Sequence, residues 1–318
     1  MSGSNHNRGM IRSEFYRSVQ AAYDAMGITD LATIVPSTVG SERYVLGNTP
    51  DVPVLRGNST PIKQFSGLPW DIVNGEYLSG MEVGIADYER DQTGQTKKIA
   101  GQMGLRCGQL WSSHQDALLL NGESEPTYNG QNLFDTQHQV GKSPEQSNLL
   151  TGTEVPALSA VSDADAPTPE EFVDVVTGMI GYMMTYMDDA NEPLHEMARS
   201  FSVFVHPLVF ASAITGVSAN LLGGGNTPKT SVLQGTGGFK IKVYARPRLT
   251  EEEDVFVART DCPGMSAMIL QEETKPRITF MGPGSEYADT HFKYRTNAYM
   301  RGAVGTGEPL MITKGTMS

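Results

Sequence analysis

The chain has 318 residues, with 24 Lys plus Arg against 36 Asp plus Glu and a net charge of −12. That balance excludes a broadly basic surface for coating nucleic acid, and a 39% hydrophobic share with 34 glycines excludes a disordered chain. The length suits two domains or one elaborated domain. Met1 to Met10 lacks the apolar core of a signal peptide, and the apolar stretch from Ser202 to Val217 is too short for a bilayer and is interrupted at His206-Pro207. Cys107 and Cys262 have no CxxC partners, so two reduced thiols are expected in a soluble protein made in a reducing cytoplasm.

Ile11, Phe15, Val19, Ala22 and Met26 recur at helical spacing and predict an amphipathic helix ended by Gly27, preceded by a loose polar arm. Glu42 to Leu46 predicts a short strand, and Tyr77 to Ile85 alternates with a period near two. The intervening Gly47, Pro50, Pro53, Gly57, Pro61, Gly67 and Pro69 forbid a helix, so an extended two-stranded excursion is expected between 41 and 85. Such a ribbon is marginal alone in water. The long helix predicted over Asp91 to Leu120 carries Gly101, Gly104 and Gly108 as a bare ridge, where another backbone packs closely or the helix bends. Thr168-Pro169-Glu170-Glu171 is a capping-box start for a helix whose stripe is Phe172, Val175, Val176, Met179, Ile180, Met183 and Met187, read as core. Phe201 to Val205 reads as a buried strand and Pro207 to Ala219 as a helix. Further strands are predicted at 239–246, 255–258, 268–271, 278–280, 292–300 and 310–313. The class is α+β.

The motifs for catalysis are incomplete. In Gly223 to Thr230 the residue before Lys229 is Pro228, which cannot offer the amide a phosphate loop needs. His195-Glu196 lacks the second histidine of a zinc site. Asp135 and His138 lie close together without a nucleophile, and a structural hydrogen-bonding role is expected for them, a soluble hydrolase being the remote alternative. No cofactor, metal or enzymatic activity is expected.

Three stretches in order along the chain resemble one family. Val35-Pro36-Ser37-Thr38, Glu42-Arg43-Tyr44-Val45-Leu46-Gly47-Asn48-Thr49-Pro50 and Leu55-Arg56-Gly57 resemble the opening of Mu-like phage major head proteins (the gpT-like family). Asn129 to Gly141 (NGQNLFDTQHQVG) is similar to that family's DGQPFFDTDHPVG loop, and Arg301 to Gly307 more faintly to a glycine-rich stretch near its C-terminus. The resemblance implies the capsid fold of the Hong Kong 97 phage. Its parts would be an N-terminal arm at 1–40, an E-loop region at 41–85, a peripheral domain at 86–165 and 261–305 with a spine helix at 91–120, and an axial domain at 166–260 and 306–318. It also implies hexamers and pentamers of the chain itself, an icosahedral head enclosing double-stranded DNA without sequence-specific binding, and no membrane. Portal, scaffolding and decoration proteins are the expected partners, with assembly in the host bacterial cytoplasm and residence in the virion. A nanocompartment shell of the same fold is the alternative. The expected interface residues are Ile11, Phe15 and Val19 of the arm and Asp51, Val54, Arg56, Lys63, Phe65 and Leu68 of the E-loop. Gly101, Gly104 and Gly108 are the expected hinge of the spine helix.

Overall fold

The computed structural model describes residues 2–47, 67–90, 94–139, 143–218, 221–222, 229–230 and 239–318. In chain order these form α1 (Ser2–Met26), α2 (Ile28–Leu31), β1 (Ala32–Pro36), β2 (Ser41–Gly47), β3 (Gly67–Val73), β4 (Gly75–Gly84), α3 (Ile85–Glu89) and α4 (Gln95–Leu120). After a loop segment come β5 (Leu149–Leu150), α5 (Pro169–Met183), β6 (Ser200–Val205), α6 (Phe210–Ser218), β7 (Leu221–Leu222), β8 (Lys229–Thr230), β9 (Lys240–Ala245) and β10 (Asp254–Arg259). The C-terminal part holds β11 (Met268–Met281), α7 (Glu286–His291), β12 (Lys293–Thr306) and β13 (Ile312–Thr316).

One sheet has the order β1-β11-β12-β4, the other β5-β13-β10-β6-β9. Beside them β2 and β3 pair only with each other, Ser41 opposite Val73 through Gly47 opposite Gly67. The expected two-stranded excursion is therefore real, but its second leg is 67–73. The Tyr77–Ile85 alternation belongs to β4, which pairs along its length with β12 at the edge of the first sheet. The pattern at 67–73 escaped detection because Pro69 and Gly67 read as breakers, whereas a two-stranded ribbon is all edge and tolerates proline.

The strands predicted separately at 268–271 and 278–280 are one strand, β11, continuous through Pro276 with register shifts between Glu272 and Arg277. Proline is accepted there because β1 covers β11 only from Met268 to Glu272, so beyond that point one side of β11 has no strand to satisfy. The first helix extends back to Ser2, and the long helix begins at Gln95 behind Gly94 at φ 70°. Thr168 and Glu171 close the capping box as expected: the Thr168 hydroxyl accepts from the Glu171 amide, and the Glu171 carboxylate accepts from the Thr168 amide at 2.9 Å.

The second sheet separates two apolar cores. Phe204, Phe256, Ala258 and Ile312 face α1, α4 and the first sheet, while Phe201, Val203, Val205, Val255 and Val257 face α5 and α6. With both faces covered, β10 is buried at every position, which is why its sequence reads as a continuous apolar run and not an alternation. The methionines of α5, Met179 and Met183, are fully buried in the second core.

Candidate assembly surfaces

The stripe of α1 is sheltered by its own chain. Phe15 is fully buried and Ile11 and Val19 nearly so, all in the core they share with Met103, Cys107 and Trp111 of α4. The glycine ridge of α4 receives this stripe: Gly101 lies against Glu14 and Ser18, Gly104 against Phe15 and Ser18, Gly108 against Ala22 and Tyr23. The pairs advance together, so the helices run side by side in the same direction. A Cβ at Gly104 would collide with the Phe15 carbonyl oxygen, and one at Gly108 with the Ala22 methyl. Of the two readings open to the ridge, close packing of the second helix is seen at Gly104 and Gly108, while Gly101 meets only the side chains of Ser18 and Glu14. Ile11, Phe15 and Val19, expected at a contact between subunits, are thus sheltered within one chain. Their apolar surface is already out of water within one chain, so little remains for a neighbour.

Asp51, Val54, Arg56, Lys63 and Phe65 lie outside the described residues, and Leu68 is placed by its backbone pairing with Leu46 in the ribbon. The phosphate-loop-like stretch lies mostly outside them too, at 223–228. Exposed apolar side chains stand elsewhere: Val73 at the root of the ribbon, Leu78 and Met81 on the edge strand β4, Met197 in the turn before β6, Leu208 and Ile214 before and within α6, and Phe292. Leu78 also borders a groove of ≈ 370 Å³ between α4 and the β4–β12 pair, lined by Tyr77, Met103, Arg106 and Met300. Phe292 is 75% exposed and sits at φ 53° after α7. Leu78 and Met81 are exposed on an edge strand, and Phe292 between two elements, so exposure there follows from position in the fold.

Buried polar groups lock the two cores together. Arg246 at the end of β9 is fully buried, and its guanidinium donates to Asp116 at 2.9 Å, to Ser112 at 2.7 Å and to Gln115 at 3.0 Å, all on α4. Burial pushes the Asp116 carboxyl up, and Arg246 pulls it back. Asp30 on α2 accepts from Ser202, Lys242 and Tyr244 across the second sheet. His195 is neutral: burial and Arg259 push it down to about 4, its Nε2 faces the Leu310 carbonyl at 3.0 Å, and its Nδ1 faces Arg259 at 3.2 Å. That pattern places the ring proton on Nε2.

Where β12 passes into β13, Glu308 is almost wholly buried, accepts from the Tyr128 hydroxyl at 2.9 Å through Oε2, and has no partner for Oε1 among the described residues. Burial pushes its carboxyl up to about 7. A raised acid binds its proton more tightly in the folded chain, so its contribution is full below the ordinary carboxylate range and is lost as pH rises through about 7. Glu308→Gln is expected to remove up to about 3 kcal/mol of that loss. Urea midpoints of variant and parent should diverge in the variant's favour from pH 5 to pH 8; parallel profiles would refute the buried acid.

Among the described residues no group of three or more His, Cys, Asp or Glu could hold a metal, and no helix is long and apolar enough to cross a membrane. Asp135 accepts from the Gln137 amide, and His138 is buried, which pushes its imidazole down while the nearby Asp135 charge raises it; among the described residues no hydrogen bond joins the two. Burial pushes the Cys107 thiol up to about 11, which leaves it unreactive.

Comparison with known proteins shows what the chain is similar to. Residues 8–164 match the family model described as the Mu-like prophage major head subunit gpT. The Mu-like prophage FluMu major head subunit of Haemophilus influenzae (strain ATCC 51907 / DSM 11121 / KW20 / Rd) is 30% identical over 121 residues, which is 38% of this chain and 39% of that protein. The aligned region thus spans well under half of the relative's length. Among solved structures, the procapsid of bacteriophage JBD30 is similar with a TM-score of 0.50 and 19% identity, covering 96% of this chain and 73% of that one. The mature capsid of bacteriophage PhiM1 gives 0.55 at 12% identity over 92% and 86%. The virus-like particle from Pyrococcus furiosus gives 0.51 at 11% identity over 96% of each. Residues 8–164 are therefore similar in sequence to Mu-like head subunits, and nearly the whole chain has the phage-capsid fold of the Hong Kong 97 type.

Proposed function

We propose that this chain, with a Mu-like head subunit sequence over residues 8–164 and a phage-capsid fold, is the major head protein of a tailed phage or prophage. Copies assemble head-to-tail into hexamers and pentamers, and these tile an icosahedral shell around double-stranded DNA. The observation that carries this reading is the joint occurrence of the family match and the capsid fold in one chain. The β2–β3 ribbon supports it, because a two-stranded sheet is marginal alone and gains from lying on another subunit. In this reading 41–73 is the E-loop. The sheet β1-β11-β12-β4 with α1 and α4 is the peripheral domain, and the sheet bounded by α5 and α6 is the axial domain. Interfaces of obligate assemblies bury roughly 2,000–5,000 Å². The exposed Val73, Leu78, Met81 and Phe292 are candidates for that area. Portal, scaffolding and decoration proteins would complete the particle, which forms in the host cytoplasm and persists as the virion.

The likeness to the Pyrococcus furiosus particle favours a second reading, a protein-storing nanocompartment of the same fold. Negative-stain microscopy of the purified protein is expected to show closed shells of uniform diameter. A monodisperse monomer at high concentration would overturn both readings. Nuclease-protected DNA in particles purified from the host is the outcome expected of the head protein, and a protein cargo without DNA that of the compartment.

A further inference from the structure

The β2–β3 ribbon leaves the body from opposite margins of the first sheet. Its incoming leg follows β1 and its outgoing leg feeds β4, the two outer strands of the order β1-β11-β12-β4. Its root therefore crosses the sheet beside the register shift of β11 that follows Glu272. One side chain of β11 meets both legs there. Gln271 has no solvent exposure, its Oε1 accepts from the Tyr44 hydroxyl of β2 at 2.9 Å, and its Nε2 donates to the Asn74 side-chain oxygen at 2.8 Å and faces the Ile72 carbonyl at 3.4 Å.

Asn74 extends this contact outward. Its Nδ2 donates to the Val39 carbonyl at 3.0 Å and to Glu273 at 3.1 Å, and its backbone amide to the Gly40 carbonyl at 2.8 Å. On the other leg the Ser37 amide donates to the Glu272 carbonyl at 2.9 Å, and the Ser37 hydroxyl reaches the Val39 carbonyl at 2.7 Å. Ile72, nearly fully buried, seats against the bare backbone of Gly305. Every polar function of the Gln271 and Asn74 amides has a partner, and a fully satisfied buried network selects one arrangement and resists others. Swinging the ribbon against the sheet would break these bonds together.

We infer that Gln271 is the positioning residue of the ribbon: by holding Tyr44 on one leg and Asn74 on the other, it fixes the direction in which the ribbon leaves the body. This rests on the assembly reading for its consequence, which is that the ribbon's direction sets the angle between neighbouring subunits and so the curvature of the shell. It does not rest on that reading for the lock itself.

The lock is tested in the unassembled chain by hydrogen exchange. Gln271→Met keeps the volume and removes the three polar contacts. Exchange at residues 41–44 and 71–74 is expected to rise at least about tenfold, while 294–300 in β12 stays unchanged. Equal acceleration across β11 and β12 would mean general loosening, and no acceleration at the root would mean no lock; either overturns the inference. Should Gln271→Met not fold, Tyr44→Phe removes a single contact and is expected to accelerate exchange on the incoming leg alone, an unchanged leg again overturning it. The consequence is read from particle diameters under the microscope. The variant is expected to give a broadened distribution where the parent gives one size, and a single unchanged size overturns the link from lock to curvature. A parent that forms no particles would refute the assembly reading and leave the exchange result to decide the lock.

Discussion

Phe15→Ala is expected to destabilise the unassembled subunit by about 3–5 kcal/mol, the cost of emptying a fully buried aromatic site. The ring sits in the core beneath α4, and its carbonyl oxygen is the atom that Gly104 approaches. Had the arm found its shelter on a neighbouring subunit, the same substitution would leave the isolated chain untouched and impair only assembly. Urea unfolding of the dilute, particle-free protein separates the two: a shift of midpoint at unchanged slope places the contact within the chain. The companion change Gly104→Val attacks the contact from the other side. It forces a branched side chain against the Phe15 backbone and is expected to cost about 1–3 kcal/mol through overpacking, offset only slightly by valine's better helix propensity. A stable Gly104→Val subunit whose shells fail to change shape would revive the bending role expected for Gly101, Gly104 and Gly108.

Removing one member of the Arg246–Asp116 pair is expected to cost about 3–5 kcal/mol, because the other charge stays buried without compensation. Both side chains are essentially without solvent contact, and the guanidinium is further held by Ser112 and Gln115 and lies 5.0 Å above the Phe204 ring. Asp116→Asn is the milder change, since the amide oxygen can still accept from Arg246. Arg246→Ala is the harsher, since it opens a cavity and strands a carboxylate. The double variant Arg246→Met with Asp116→Leu is expected to recover most of the loss, as buried pairs replaced by apolar groups commonly do. Failure of the double variant to recover would mean that Gln115, left with an unmet oxygen, carries more of the network than the ion pair. Thermal melts of the four proteins decide this.

Elements whose patterns are local were legible in the sequence. The stripe of α5 and its capping box are visible because an N-cap, a proline and a glutamate three residues on act within one turn. The strands β6 and β10 are visible as apolar runs and β9 as an alternation of lysine with apolar residues, and the resemblance in Asn129 to Gly141 led to the fold. Three features were not legible. The glycines of α4 announce a close approach but not its partner, because the partner α1 is more than seventy residues away and equally able, on pattern alone, to dock elsewhere. The joining of 268–271 to 278–280 depends on what lies beside Pro276, which is tertiary information. The root of the ribbon depends on Gln271, an amide whose meaning comes only from the two legs that converge on it. The exposed Phe292 was missed for a related reason: a lone apolar residue between two elements has no periodicity to betray it.

The alternating assignment of the second sheet also bears on how such a chain can change over generations. Phe204 and Phe256 are directly opposed and share one apolar volume, while Val203 and Val257, their immediate neighbours along the same strands, are opposed in another. Enlargement at one of these positions must be answered by shrinkage on the same side of the sheet, at a residue distant in the chain. The adjacent residue is indifferent to it. Each strand is thus two interleaved lineages of substitution, one drifting with the long helix pair and the other with α5 and α6, so that consecutive letters can diverge independently while remote ones change in step.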